Sequence, residues 1–183
     1  METNFLTDVL RNANNAKIIE RWAELRLEDG WLVAGCLFQT VWNVLSRQEP
    51  ESNIKDYDFF YFDSSDLSAS GERAMQHHVE GVLEDLDITV EVANQARVHC
   101  WYEKHFGYAY PPLSSAKEGI DRFLILATCV GINAHEVYVP NGLQLLYEGI
   151  LTTNPLTPHE LLFAKKAASY QQRWPWLRIE PNS

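Results

Sequence analysis

Basic residues are scarce in this sequence. Lys and Arg number 15 against 25 Asp and Glu, a formal charge of −10 at pH 7. Proteins that grip nucleic acid by neutralising phosphates present a basic surface. The balance therefore excludes an extended nucleic-acid surface, while a local basic pocket stays compatible with it. Cysteines are few, odd in number and far apart: Cys36, Cys100 and Cys129. That pattern excludes a disulfide framework and a cysteine-based zinc centre, and it suits a reducing compartment. Long apolar runs are missing. The longest near-apolar stretch, residues 123–132, contains a Thr and is too short to span a bilayer. The first residues lack the charged and apolar blocks of a secretory leader. Internal repeats and low-complexity segments are also missing. These absences predict a cytoplasmic protein without a membrane span.

What is present is ordinary globular composition. Hydrophobic residues make up 46% of 183 and charged residues 22%. A chain of this length buries roughly 70% of its unfolded surface without staples. One domain over residues 1–183 is expected. Ile18, Ile19, Trp22 and Leu25 recur at helical spacing, so N-terminal helices are predicted over about 3–27, closed by Asp29-Gly30. Residues 31–35 read as a short buried strand and 36–46 as a helix. Residues 56–62, rich in aromatics, are the clearest strand. A helix follows over 71–86 and a second alternating strand over 88–92. Residues 97–106 read as a strand passing into a short helix. A long helix is expected over 114–129, with Ser115 and Glu118 as a capping box. A last helix is expected over about 158–174, with Pro158 at its start and Pro175 beyond its end. Strands alternating with helices indicate an α+β (α/β-like) domain with a mixed sheet flanked by helices.

The anomaly is Lys55-Asp56-Tyr57-Asp58. Strand period 2 puts both aspartates on one face, where their charges repel unless something compensates. Water does this at an exposed strand end. A divalent cation does it in a site, and oxygen-only ligands suit Mg²⁺ (or Mn²⁺) together with substrate phosphates. Glu91, flanked by Val90 and Val92, is either a solvent-facing position or a third carboxylate on a neighbouring strand. Three such carboxylates serve in-line phosphoryl chemistry. Ala34-Gly35-Cys36 ends a strand and opens a helix, and a helix N-terminus suits phosphate. Cys36, Gln39 and Asn43 lie near that N-terminus at turn spacing. Arg97, in the polar run Asn94-Gln95-Ala96-Arg97-Val98-His99, either clamps a triphosphate or pairs with a structural carboxylate. Lys55 should point away from the aspartates. Lys165 and Lys166 read as a solvated helix face, or one of them reaches a phosphate, and Trp101 and Tyr102 read as core, or stack on a base.

Together these parts resemble the DNA polymerase beta nucleotidyltransferase superfamily. Its pattern is a Gly-Gly or Gly-Ser turn, then Asp-x-Asp or Asp-x-Glu on a strand, then a later carboxylate. The matching positions here are Gly35-Cys36, then Asp56 and Asp58, then Glu91. More narrowly, Gly35-Cys36-Leu37-Phe38-Gln39-Thr40-Val41-Trp42-Asn43, Lys55-Asp56-Tyr57-Asp58-Phe59-Phe60-Tyr61 and Glu91-Val92-Ala93-Asn94-Gln95-Ala96-Arg97 resemble a bacterial nucleotidyltransferase-like family, over residues 20–176. The resemblance implies a fold similar to the head domain of CCA-adding enzymes. It implies Asp56, Asp58 and Glu91 as catalytic metal ligands. Gly35, Cys36, Gln39, Asn43, Asn94 and Arg97 are then the nucleotide contacts. It also implies transfer of a nucleoside monophosphate from an NTP to an acceptor, with a small molecule favoured. Cys36 departs from the usual Ser or Gly, and a thiol is a poorer donor to phosphate. A nucleotide-binding regulatory module with weak or no turnover is the alternative that this departure supports.

Overall fold

The computed structural model describes residues 2–180. The helices are α1 (Glu2–Val9), α2 (Ala13–Glu20), α3 (Trp22–Leu25), α4 (Gly35–Leu45), α5 (Ala69–Val82), α6 (Tyr102–Phe106), α7 (Ala116–Asp121), α8 (Gln144–Glu148) and α9 (Glu160–Arg173). The strands are β1 (Trp31–Val33), β2 (Tyr57–Tyr61), β3 (Val90–Asn94), β4 (Gly131–Ile132), β5 (Val137–Tyr138), β6 (Ile150–Leu151) and β7 (Arg178–Ile179). The first five strands form one mixed sheet in the order β3-β2-β1-β4-β5. Only β2 and β3 run parallel within it. β6 and β7 pair separately and in parallel. The domain is α+β, with helices flanking a mixed sheet.

Alternation along β2 divides the two faces. Tyr57, Phe59 and Tyr61 are buried among the residues of the main core. Asp58 and Phe60 point the other way, where Phe60 meets Phe123 with ring centroids 5.4 Å apart. That second face holds a smaller cluster of Trp31, Val33, Ala116, Ile120 and Cys129 beneath α7. Parallel pairing then sets Glu91 of β3 opposite Asp58.

An aromatic cluster welds α4 to α9. Trp42 packs edge-on against Trp174 at 5.1 Å and Tyr170 at 5.3 Å, and Phe38 packs against Tyr170 at 5.5 Å. Such contacts add about 0.5–1.5 kcal/mol each beyond area burial. They hold the C-terminal half of α9 against α4.

Two sequence expectations change. No long helix spans 114–129. α7 begins as foreseen, with the Ser115 side chain accepting from the Glu118 N–H at 3.3 Å and Glu118 bonding back to Ser114. It stops at Asp121 because distant side chains take its last carbonyls. Asn154 Nδ2 donates to the carbonyls of Asp121 and Phe123 at 2.6 and 2.7 Å, and Thr157 Oγ1 donates to that of Arg122 at 2.8 Å. These are capping bonds supplied from 31–35 residues away. Residues 97–106 hold no strand either. A 3₁₀ turn over Gln95–Cys100 starts where the Asn94 side chain accepts from the Ala96 N–H. Among the described residues, no helix is long and apolar enough to cross a membrane.

Candidate active site

The turn from β1 into α4 is strained. Ala34, the N-cap, sits at φ 60° and ψ −137°. A non-glycine residue there costs of order 1–3 kcal/mol, and such strain clusters at functional sites. Gly35 follows with helical φ; its service is space. A Cβ on Gly35 would stand 2.6 Å from Gln39 Nε2 and 3.9 Å from Asp56 Oδ1. No side chain caps the start of α4. The first N–H groups of a helix lack intrahelical acceptors and carry the positive end of its dipole.

Beside this start lies a cleft of about 400 Å³. Asp56 and Asp58 line it with Gly35, Gln39, Lys166 and Arg173. Asp56 precedes β2, which starts at Tyr57. Lys55 therefore escapes strict alternation and also faces the cleft, against the expectation that it points away. Burial is the main force on Asp58. Aided by repulsion from Asp56 and then Glu91, and opposed by Lys166, it lifts the carboxyl from its ordinary 3.8 to about 7. Lys166 is exposed overall, yet desolvation of its ammonium end in the cleft lowers it, and both aspartates partly restore it. Arg173 donates from Nη1 to Gln39 Oε1 at 2.6 Å and from Nη2 to the Ser52 carbonyl at 3.1 Å.

Glu91 is exposed and stands across from Asp58 on β3. Among the described residues, no three His, Cys, Asp or Glu side chains are gathered closely enough to hold a metal ion together. The cleft itself is lined by a pair of carboxylates, Asp56 and Asp58, with the third one strand away.

Four expected nucleotide contacts sit elsewhere. Cys36 is buried, its Sγ 3.2 Å from the Val33 carbonyl, and burial pushes its thiol up, so the sulfur stays protonated on the core side of α4. Only its backbone N–H belongs to the helix start. Asn43 is buried one turn beyond Gln39. It donates to the carbonyls of Pro50 and Ser52 at 3.1 and 2.9 Å and accepts from Trp174 Nε1 at 3.1 Å. Asn94 is likewise consumed: it accepts from the Asp63 and Ala96 N–H groups and donates to the Asp63 and Asp66 carbonyls. The Arg97 side chain is 12% exposed and pairs with Glu72, whose other oxygen accepts from the Asn94 N–H. Asn94, Arg97 and Glu72 thus tie the start of α5 to the end of β3. In each case a polar side chain near the motif serves backbone groups that local structure leaves unpaired. Gly35 and Gln39 do line the cleft.

The charged groups that line the cleft without having been expected there are Lys55, Lys166 and Arg173. A signal for the last two existed. Leu162, Lys166, Ser169 and Arg173 recur at steps of four, three and four, one face of a helix. What the sequence did not reveal is that this partly exposed face also borders a cleft.

The nucleotidyltransferase family model matches residues 20–179. The chain belongs to the nucleotidyltransferase family. A search of curated proteins gives no match. Among solved structures, an NMR structure described as a CCA-adding enzyme head domain superposes with a TM-score of 0.74. The match covers 91% of this chain and 89% of that one at 21% identity, a likeness of fold. The mixed sheet and its flanking helices thus belong to a shared architecture.

Proposed function

We propose that this nucleotidyltransferase-family protein transfers a nucleoside monophosphate from an NTP to a small acceptor in the presence of Mg²⁺ (or Mn²⁺), releasing pyrophosphate. The supporting observation is the cleft that joins Asp56 and Asp58 to the uncapped start of α4, ringed by Lys55, Lys166 and Arg173. The donor set fits a hard divalent cation: two crowded carboxylates, one driven to hold its proton, facing a space that Gly35 leaves open. Asp56 and Asp58 would hold the cation, with Glu91 as the adjoining third carboxylate. When bound, the cation neutralises phosphate charge and polarises the phosphoryl oxygens.

The chain's own residues do the remainder. The N–H groups of Gly35 and Cys36 and the dipole of α4 bind phosphate oxygens. Lys166 and Arg173 add positive charge and orient the triphosphate along α9. Phe38, Phe123 and Tyr170 line the cleft and exclude water from it. Glu91, solvated beside Asp58, takes the acceptor's proton. The unpaired cysteines fit a reducing, cytoplasmic setting. The −10 charge disfavours a large nucleic-acid acceptor.

The test is Mg²⁺-dependent pyrophosphate release from the four NTPs, with Asp58→Asn as comparison. Wild type should release it and the variant should not; equal release by both refutes the mechanism. The buried Cys36 thiol, where the superfamily pattern has Ser or Gly, supports a second reading: a nucleotide-binding module without turnover. Tight NTP·Mg²⁺ binding by calorimetry, with no release across many acceptors, would establish it.

A further inference from the structure

A second cavity, about 570 Å³, opens beside the carboxylate cleft and shares Phe123, Lys166 and Ser169 with it. That volume is in the range of small-ligand pockets. α9 lines both spaces. Its Leu162 and Lys165 face the new cavity, Lys166 and Ser169 the boundary, and Tyr170 and Arg173 the cleft. From Leu162 to Arg173 the face is about 16 Å long at helical rise. The two cavities thus lie end to end along one helix.

The new cavity has two chemical characters. Its walls are aromatic and aliphatic: Tyr102 and Phe106, with ring centroids 4.6 Å apart, then Phe123, Leu124 and Leu162. Its charged groups are all cationic: Arg122, Lys165 and Lys166. Among the described residues no acidic side chain lines it, in a chain where acids outnumber bases 25 to 15. Among the described residues, none of the three cations makes an ion pair. The Arg122 guanidinium rests instead over the Tyr110 ring, 5.5 Å from its centroid. Unpaired cations against apolar walls complement a ligand with a ring and a negative charge.

Position supplies the role. In an in-line displacement the acceptor approaches opposite the departing pyrophosphate. Of the phosphate-binding groups, Gly35 and Arg173 belong to the cleft alone and Lys166 stands at the boundary, while the aromatic cavity lies toward the other end of α9. We propose that this cavity is the acceptor site, and that the acceptor is a small molecule carrying an aromatic ring and an anionic group. The acceptor's hydroxyl oxygen bonds to the α-phosphorus, and the bond from that phosphorus to the bridging oxygen breaks. Pyrophosphate leaves and the hydroxyl proton passes to Glu91. The acceptor role rests on the nucleotidyl-transfer reading; the ligand class is tested without it.

The probe is 8-anilinonaphthalene-1-sulfonate, an aromatic anion, titrated by fluorescence into metal-free full-length protein. N-phenyl-1-naphthylamine is the neutral comparison. The anion should saturate at one site. Arg122→Gln should weaken it about tenfold, or about 1.4 kcal/mol, and leave the neutral compound within about twofold. Arg122→Lys should recover most of the loss. Asp58→Asn should bind the anion as wild type does. Should Arg122→Gln fail to fold by circular dichroism, Lys165→Gln carries the same expectation. Saturating ATP·Mg²⁺ should leave the anion bound. Equal affinity for the anion in wild type and both charge variants overturns the ligand class. Competitive displacement by ATP·Mg²⁺ overturns the acceptor role by giving the cavity to the donor's base. Arg122-dependent binding with no pyrophosphate release from any NTP refutes nucleotidyl transfer, and with it the acceptor role, while the ligand class stands.

Discussion

Asp58→Asn removes the charge that the fold least tolerates while keeping the side chain's shape. In the metal-free protein the carboxyl titrates near 7 in place of its ordinary 3.8, because burial and the neighbouring Asp56 and Glu91 oppose ionisation. Between those values the folded chain holds a proton that the unfolded chain has lost. Stability is therefore fullest below about pH 4, falls as pH rises, and levels off above pH 7. Other groups move with pH too, so the useful quantity is the difference between wild type and Asp58→Asn. From pH 5.5 to 8 that difference should grow by about 2 kcal/mol at full value. Water at the cleft mouth screens it to about 1 kcal/mol. For a chain of this size the gap in Tm should widen by about 2–4 °C. Thermal unfolding in EDTA at several pH values reads it directly. A gap that stays constant from pH 5.5 to 8 refutes the assignment of strain to this carboxylate. Adding Mg²⁺ should raise the wild-type Tm at pH 8 and flatten its pH slope, with a smaller effect on the variant.

Three further substitutions separate the site from its scaffold. Gly35→Ala places a Cβ 2.6 Å from Gln39 Nε2, a flexible end that moves at little cost. Stability should change by less than about 1 kcal/mol, while pyrophosphate release falls at least about tenfold as the phosphate cradle fills. Asn43→Ala should cost about 2–4 kcal/mol in urea denaturation, because the Pro50 and Ser52 carbonyls and the Trp174 N–H lose their partner. Its nucleotide affinity should hold; loss of affinity in a folded variant would return Asn43 to the site. Arg97→Ala should destabilise by about 2 kcal/mol, leaving Glu72 half-buried and unpaired. Calorimetry should find its NTP affinity unchanged, and a large drop would restore Arg97 as a triphosphate clamp.

The parts of the fold that follow from neighbours in sequence were readable. The aromatic alternation of residues 57–61 defines a strand with two unlike faces, and it defines one in the structure. The capping box at Ser115 starts a helix where it should. Helix length is another matter. Nothing within residues 114–129 says that Asn154 and Thr157 will claim the carbonyls at 121–123, so the pattern runs on while the helix stops. Nor does anything local say that Asp56 falls one residue short of its strand, which is why Lys55 and Asp56 both reach the cleft.

The site divides along the same line. Asp56, Asp58, Gly35 and Gln39, picked out because the chemistry demands those residue types close together, do share one cleft. Asn43, Asn94 and Arg97 carried equal polarity at equally plausible spacing, yet each is spent on a backbone gap or a buried carboxylate. Polarity near a motif reports a hydrogen-bonding need; whether a ligand or the chain itself meets it depends on which loops fold back, and loops over 50–52 and 63–67 do so here. Lys166 and Arg173 show the converse. Lys166 is exposed, as a solvated helix face requires, and that it also borders the cleft was hidden because α9 lies more than 110 residues from α4 in sequence. The packing of Trp42 on Trp174 erases that distance, and the same contact that consumes Asn43 delivers two cations to the aspartates. One aromatic weld thus ties Asn43 into the core and sets Lys166 and Arg173 at the cleft.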